Sequence, residues 1–351
     1  MFKTRLLLLL SLFWVTLLQA QDAYEKEFIT LVNEKVKDGN ISSISKVACQ
    51  KGDCRIDDLV LINTDMETGE KSKTSIASFK LKEVKNFIEF KERRGVLKEG
   101  EKRQYSIALN DIQSDGHNLF FDKEKMALEL GEKSELYRYF KKYLDTPSDA
   151  EYTMHLTKQK GNVVIKDSGT LSTGKFSFSL KSRYTIKGGF EKLDEISQTN
   201  PMAMLSYIVI NSLEFTIDNP KGFLRNMLYL SYKESIDEAH SKEEKAMINS
   251  EYLLSGDKLH SKNEFTAMLQ ESSSKKLKAL ATEDPSFNEL LNKNGQFEKK
   301  LDAVLAGKSS HIDIKIDNPR ELSLGDFFTI FMGYAMQQKL AAKPDITLSI
   351  K

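Results

Sequence analysis

Residues 151–186 give the clearest indication of the fold, and they read EYTMHLTKQKGNVVIKDSGTLSTGKFSFSLKSRYTI. Apolar and polar residues alternate along three segments of this stretch, which is the period of a β-strand with one buried face. Short turns that contain Gly161 and Gly174 separate the segments. The pattern predicts an antiparallel meander with a polar face and an apolar face, and the apolar face needs a cover.

Helical patterns on both sides of the meander supply candidate covers. Apolar residues recur at helical spacing in 22–37 and in 123–144, and the segment 233–307 is helical in pattern almost throughout. The apolar run at 202–210 fits either a helix or a buried strand. We therefore expect an α+β fold in which curved, half-barrel-like antiparallel β-sheets clasp helices on their apolar face.

The run Thr146-Pro147-Ser148-Asp149 is the clearest candidate for a domain boundary, because its residues favour turns over helix or strand. We predict a signal peptide at 1–20 and an N-terminal α+β domain at 21–146. A C-terminal α+β domain is expected at 147–351, with a helical insertion at 233–307.

The first residues have the pattern of a secretory signal peptide. Lys3 and Arg5 precede an apolar stretch that continues to Leu18, and Ala20 supplies the small residue of a cleavage site near Ala20/Gln21. The apolar stretch is too short for a permanent membrane helix, and no apolar run of about 18 residues follows it. We expect a soluble exported protein, periplasmic or extracellular, with no integral membrane span in the mature chain.

Composition and charge limit the classes of partner. A chain with 40% hydrophobic and 29% charged residues is typical of a globular protein. Its 52 basic and 51 acidic residues are interleaved along the sequence. This balance argues against nucleic acid as a partner held by charge.

The two cysteines, Cys49 and Cys54, flank a turn sequence that contains Gly52 and Asp53. In an oxidising compartment, neighbouring cysteines usually form a structural disulfide. The spacing is C-x-x-x-x-C rather than the C-x-x-C of redox motifs, and further metal ligands are not close in sequence. We predict a disulfide bond that fastens the end of the first helical region to the first strand.

One short sequence occurs twice. Residues 213–220 read LEFTIDNP, residues 312–319 read IDIKIDNP, and a fainter similarity relates 107–110 to 208–211. The repetition predicts an internal repeat of a strand that stops at Asp-Asn-Pro and continues into a covering helix. Because Asp-Asn-Pro terminates strands well, we favour this structural role over a ligand-binding role for Asp218 or Asp317.

No motif in the sequence indicates a reaction. The five histidines, at 117, 155, 240, 260 and 311, lack metal-binding spacing, and no nucleophile elbow, phosphate loop or nucleotide fingerprint is present. We expect each histidine at the surface or at a strand edge. The sequence predicts a protein that is not an enzyme, with no catalytic or metal-binding residues and no cofactor.

The run Asp38-Gly39-Asn40-Ile41-Ser42 resembles the extended bacterial N-glycosylation acceptor, which has an acidic residue two positions before Asn-x-Ser/Thr. The run follows the predicted end of a helix, where a loop would expose it. Asn40 is therefore a candidate glycosylation site.

The number of large apolar residues near the meander favours a binding function. Aromatic rings and adaptable methionines suit variable apolar ligands. We expect a non-enzymatic exported bacterial protein that binds a lipid or lipoprotein in an apolar groove between sheet and helices. The alternative is a surface or periplasmic protein for adhesion or envelope assembly, which would bind an envelope or host protein. An exported hydrolase is the weakest of the three hypotheses. The candidate groove residues are Phe176, Phe178, Phe215, Phe223, Phe327, Phe328, Phe331 and Met332.

Overall fold

The structure is a computed structural model. It describes residues 23–64, 71–91, 97–115, 123–252, 254–283, 297–318, 321–326 and 346–347. The predicted signal peptide at 1–20 lies outside the described residues.

The chain is α+β, as the sequence predicts. In hydrogen-bonding order, ten strands follow one another as β1-β3-β4-β5-β6-β7-β8-β9-β10-β11, and β2 pairs with β3 beside this series. The pairing is antiparallel, which confirms the coarse prediction, whereas the curvature of the sheet stays a prediction. The strands are β1 (Ile41–Ser43), β2 (Lys46–Gln50), β3 (Asp53–Thr64), β4 (Lys71–Lys82), β5 (Lys102–Ser114), β6 (Ser148–Gln159), β7 (Asn162–Thr173), β8 (Phe176–Ile186), β9 (Ile208–Asp218), β10 (His311–Asp317) and β11 (Ile346–Thr347).

Helices occupy much of the remaining described chain. Four of them, α6 to α9, lie in or across the predicted helical segment at 233–307. A 3₁₀ turn at Ala203–Tyr207 leads directly into β9, so the ambiguous run at 202–210 contains both a helical turn and the start of a strand. The helices are α1 (23–37), α2 (Val84–Lys91), α3 (Lys123–Leu130), α4 (Glu135–Leu144), α5 (Gly189–Thr199), α6 (Phe223–Glu238), α7 (Lys242–Glu251), α8 (Lys262–Glu283) and α9 (Phe297–Leu305).

The expected continuous helix at 123–144 is wrong, because the chain breaks it into α3 and α4. Gly131 has a φ of +78°, a left-handed conformation that ends α3 and that glycine adopts without strain. Ser134 then begins α4, since its side chain accepts a hydrogen bond from the Tyr137 backbone N–H.

The described residues belong to two compact units that interleave in sequence. The first unit lies within Met1–Leu119, Pro147–Leu171 and Thr185–Thr199, and the second lies within Phe120–Thr146, Ser172–Tyr184 and Asn200–Lys351. Each unit contains strands and helices. The predicted domain division at 146/147 stays a prediction.

The first unit has a core of apolar residues from strands and α2. Leu81, Val84 and Ile88 are fully buried, and the last two lie one turn apart on α2. Full burial of such a side chain contributes about 1.5–3 kcal/mol. The Tyr105 ring packs edge-on against Phe87 at 5.4 Å, which fixes α2 against β5.

The second unit has a helical core formed by α6, α7 and α8. The Tyr232 and Phe265 rings are stacked with centroids 4.7 Å apart, and both residues are fully buried. The Tyr232 hydroxyl donates to Asn249 Oδ1 at 2.9 Å and accepts from the His260 backbone N–H at 2.9 Å. The buried Asn249 amide donates to the Gly256 and Lys258 carbonyls, so the polar groups of Tyr232 and Asn249 are paired.

The two copies of the repeated sequence pair with each other in β9 and β10. Phe215 lies opposite Ile314, Leu213 opposite Ile316 and Ile217 opposite Ile312. Because Phe215 and Ile314 occupy the same position in their copies, the pairing is symmetric about them. The Asp-Asn residues that end the two copies, 218–219 and 317–318, therefore lie at opposite ends of this strand pair.

Candidate functional site

Strands β8, β9 and β10 of the second unit present two chemically different faces. Side chains alternate between the faces of a strand, so residues two apart share a face. We call one the apolar face: Phe176, Phe178, Leu180, Leu213, Phe215, Ile217, Ile312, Ile314 and Ile316. The other, the polar face, carries Ser177, Lys181, Ser212, Glu214, Thr216, Asp218, His311, Asp313, Lys315 and Asp317.

Two of the predicted groove residues are packed in an aromatic cluster. The Phe176 ring meets the Phe223 ring edge-on at 4.4 Å, and both side chains are buried. Phe223 also contacts Tyr139 at 5.3 Å and Tyr143 at 5.7 Å, both on α4. Each such pair stabilises the fold by about 0.5–1.5 kcal/mol in addition to the stabilisation from the apolar area it buries. This part of the apolar region is filled by the protein's own rings.

The remaining described residues of the apolar face are more accessible. Phe178 and Phe215 are half-buried, and Leu180 is 49% exposed. Burial along β8 thus decreases from Phe176 to Leu180. The other predicted groove residues, Phe327, Phe328, Phe331 and Met332, lie outside the described residues.

The polar face carries a charged array at its Asp218 end. His311 lies opposite Asp218 in the strand register, and its Nδ1 is 2.6 Å from Asp218 Oδ1. The other ring nitrogen, Nε2, is 3.0 Å from Asp313 Oδ2. Thr216 donates its hydroxyl to Asp313 Oδ1 at 2.7 Å, and Ser177 donates to Asp218 Oδ2 at 3.2 Å.

The array favours a protonated histidine. The hydrogen bond with the Asp218 carboxylate raises the pKa of His311 above its ordinary value, and the bond with Asp313 acts in the same direction. Partial burial opposes the rise, since it disfavours the charged imidazolium. Both ring nitrogens carry hydrogens in the imidazolium, so it can donate to both carboxylates.

The geometry of the array does not match hydrolytic or metal chemistry. Hydrolysis by a serine needs a hydroxyl that contacts a basic histidine, whereas the Ser177 hydroxyl contacts a carboxylate. Each nitrogen of His311 faces a different carboxylate, so the three groups do not converge on one point. Among the described residues, no group of three His, Cys, Asp or Glu side chains is arranged to hold a metal ion.

The first unit contains a cavity of about 550 Å³ with polar walls. Arg103 in its lining is already paired, through Nη1 with Glu89 at 2.8 Å and through Nε with Glu101 at 2.8 Å. Asn86, also in the lining, donates to the Gln104 carbonyl at 2.8 Å. With such a lining, the cavity does not suit an apolar ligand.

Cys49 and Cys54 form the predicted disulfide, but it joins different elements from those expected. The two residues are direct partners in the β2–β3 pairing, so the bond closes a hairpin. Helix α1 is attached separately, because Glu25 accepts the Gly52 backbone N–H at 2.6 Å. The expectation that the disulfide ties the first helical region to a strand is therefore wrong.

The sequence missed the association of His311 with Asp218 and Asp313. His311 was expected at the surface or at a strand edge, and Asp218 was expected to terminate a strand. The signal that brings them together is the antiparallel register of the two repeat copies, which places the start of β10 beside the end of β9.

Comparison with known proteins finds no matching family model and no matching curated protein. Within the residues that the structure describes, no helix combines the length and the apolar character needed to cross a membrane.

Proposed function

We propose that this is an exported bacterial protein without catalytic activity that binds a hydrophobic ligand, a lipid or the acyl part of a lipoprotein. The ligand would lie against the apolar face of β8, β9 and β10, in a groove between the curved sheet and its covering helices.

The observation that carries the proposal is the gradient of burial along the apolar face. Phe176 is sealed by the rings of α4 and α6, whereas Leu180, on the same face of the same strand, is 49% exposed. An acyl chain that covers such a side chain gains about 25 cal/mol for each Å² of apolar surface removed from water. The aromatic cluster gives this surface a rigid end.

Two further findings are compatible with export. The Cys49–Cys54 disulfide is a bond that persists in oxidising compartments, and the described chain has no helix able to cross a membrane. The signal-peptide pattern at 1–20 would direct the chain to the secretory pathway.

A protein ligand is the second candidate, for an adhesion or envelope-assembly role. Met202 is 67% exposed at the start of the segment that leads into β9, and an exposed methionine is adaptable to varied protein surfaces. Leu180 would then be part of a contact with an envelope or host protein.

Native mass spectrometry of the protein purified from its own organism separates these candidates. A bound lipid-sized mass, identified after extraction, supports the lipid proposal. A protein that carries no lipid and co-purifies in a defined complex with another chain contradicts it and favours the second candidate.

A further inference from the structure

Asn40 stands at an exposed turn between α1 and β1. Helix α1 ends at residue 37, and Gly39 has a φ of +76°, which reverses the chain. Asn40, Ser42 and Asp38 are exposed, and the Asp38 carboxylate lies 3.7 Å from the Lys35 ammonium in an exposed ion pair. Of all the asparagines in the 351 residues, Asn40 alone is followed by x-Ser/Thr with x other than proline.

The strand that follows Asn40 is short and irregularly paired. β1 has three residues, and its register on β3 is irregular between Ile41 and Ser43. The Asn40 carbonyl accepts one hydrogen bond, from the Ile62 N–H at 3.3 Å. A three-residue strand with an irregular register can open without global unfolding, at the cost of exposing the buried Ile41 side chain, so an enzyme can bind the run 38–42 in extended form.

From this placement we infer that Asn40 is the attachment site of an N-linked glycan, added after export by an oligosaccharyltransferase. The inference needs the export part of the proposed function but not the hydrophobic ligand. The recognition features would be the Asp38 carboxylate and the Ser42 hydroxyl on either side of the acceptor.

The transfer requires a lipid-linked oligosaccharide pyrophosphate as donor. The Asn40 side-chain nitrogen forms a bond to the anomeric carbon of the first sugar, and the bond from that carbon to the phosphate oxygen breaks. The phosphate oxygen leaves with the electron pair, and the amide nitrogen loses one proton. No oxidant or reductant takes part.

Intact-mass and glycopeptide analysis of the protein from its own organism tests the inference. We expect a glycan mass on the peptide that contains Asn40. The variants Asn40→Gln and Ser42→Ala should lose it, whereas Ser42→Thr should retain it. Asn33→Gln is the matched control, because Asn33 is exposed on α1 but lies outside the acceptor pattern.

The outcomes distinguish glycosylation from export. A chain without its leader and with an unmodified Asn40 peptide overturns the inference and leaves export intact. A chain that retains its leader overturns export and, with it, this inference. A glycan that survives Ser42→Ala also contradicts the assignment.

Discussion

The two ends of the β9–β10 pair have related sequences but are held by different interactions. At one end, His311 bridges two carboxylates, of which the Asp313 side chain is only 7% exposed. At the other end, Lys315 and Asp317 form an ion pair, and their side chains are 45% and 41% exposed. The buried contacts at that end come from the neutral amide of Asn318. The same turn sequence is thus stabilised by charge at one end and by amide hydrogen bonds at the other, so only the His311 end should respond to pH near neutrality.

Removal of the Asn318 amide should have the largest effect. Its nitrogen donates to the Ile210 and Leu322 carbonyls at 2.7 and 2.8 Å, and its oxygen accepts from the Leu322 N–H at 3.0 Å. Asn318→Ala leaves these buried groups unpaired, so we expect the free energy of unfolding to fall by about 3 kcal/mol. Urea denaturation measures the change.

Asn219→Ala is the matched control, since Asn219 occupies the same position in the other copy and its side chain makes no hydrogen bond to the described residues. We expect a change within about 0.5 kcal/mol. Equal losses in the two variants would show that the ends are held alike.

Asp313→Asn should have the next largest effect. The substitution keeps the side-chain shape but removes the charge that His311 and Thr216 contact. Hydrogen bonds to charged groups contribute about 1.5–3 kcal/mol, so we expect the free energy of unfolding to fall by an amount near the lower limit of this range. Urea denaturation at mildly acidic pH measures the change.

Glu214→Gln removes a carboxylate from the same face at the other end. Glu214 pairs with Lys181, and the two side chains are 34% and 60% exposed. We expect a change below about 0.5 kcal/mol, because exposed ion pairs contribute little. If Glu214→Gln lowered the free energy of unfolding more than Asp313→Asn does, the charged end of the β9–β10 pair would not be the one at His311.

His311 should make stability depend on pH. Its pKa is raised in the folded protein, so the folded state binds the proton more tightly than the unfolded state. The resulting stabilisation is fully present below the unfolded pKa of about 6.5 and is lost as the pH rises through the higher folded pKa. His311→Gln should abolish this part of the pH dependence in urea denaturation. An unchanged pH profile in the variant would refute the assigned role.

Lys315→Met should have an effect as small as that of Glu214→Gln. The Lys315–Asp317 ion pair is exposed, so we expect a loss below about 0.5 kcal/mol. The variant should keep the pH profile of the wild type near neutrality, which makes it the control for His311→Gln. If Lys315→Met changed the pH profile of stability as much as His311→Gln does, the assignment of the pH response to the His311 end of the β9–β10 pair would be contradicted.

The sequence predicted what depends on local pattern. Alternation at 152–180 identified the meander strands, and the spacing of Cys49 and Cys54 identified the disulfide. The break between α3 and α4 is also local, since Gly131 and Ser134 are a stop signal and a cap signal, but the periodicity of the surrounding apolar residues concealed it.

The polar array could not be predicted in the same way. Alternation tells which face a residue occupies but not which residue lies opposite it. The contact of His311 with Asp218 depends on the register of β9 against β10, and two strands so far apart in sequence can pair in several registers. Only the structure fixes that choice.

The central claim is that the apolar face binds a hydrophobic ligand, and two exposed leucines test it most directly. Leu180 is on the apolar face and 49% exposed, whereas Leu128 is on α3 and 86% exposed. Neither side chain is part of the core, so both Leu180→Ser and Leu128→Ser should fold, which thermal denaturation checks. The measurement is a titration of delipidated protein with a fluorescent palmitate analogue. We predict saturable binding by the wild type and by Leu128→Ser, and binding at least several-fold weaker by Leu180→Ser. Absence of saturable binding by the wild type, or equal affinity in the two variants, would contradict the account.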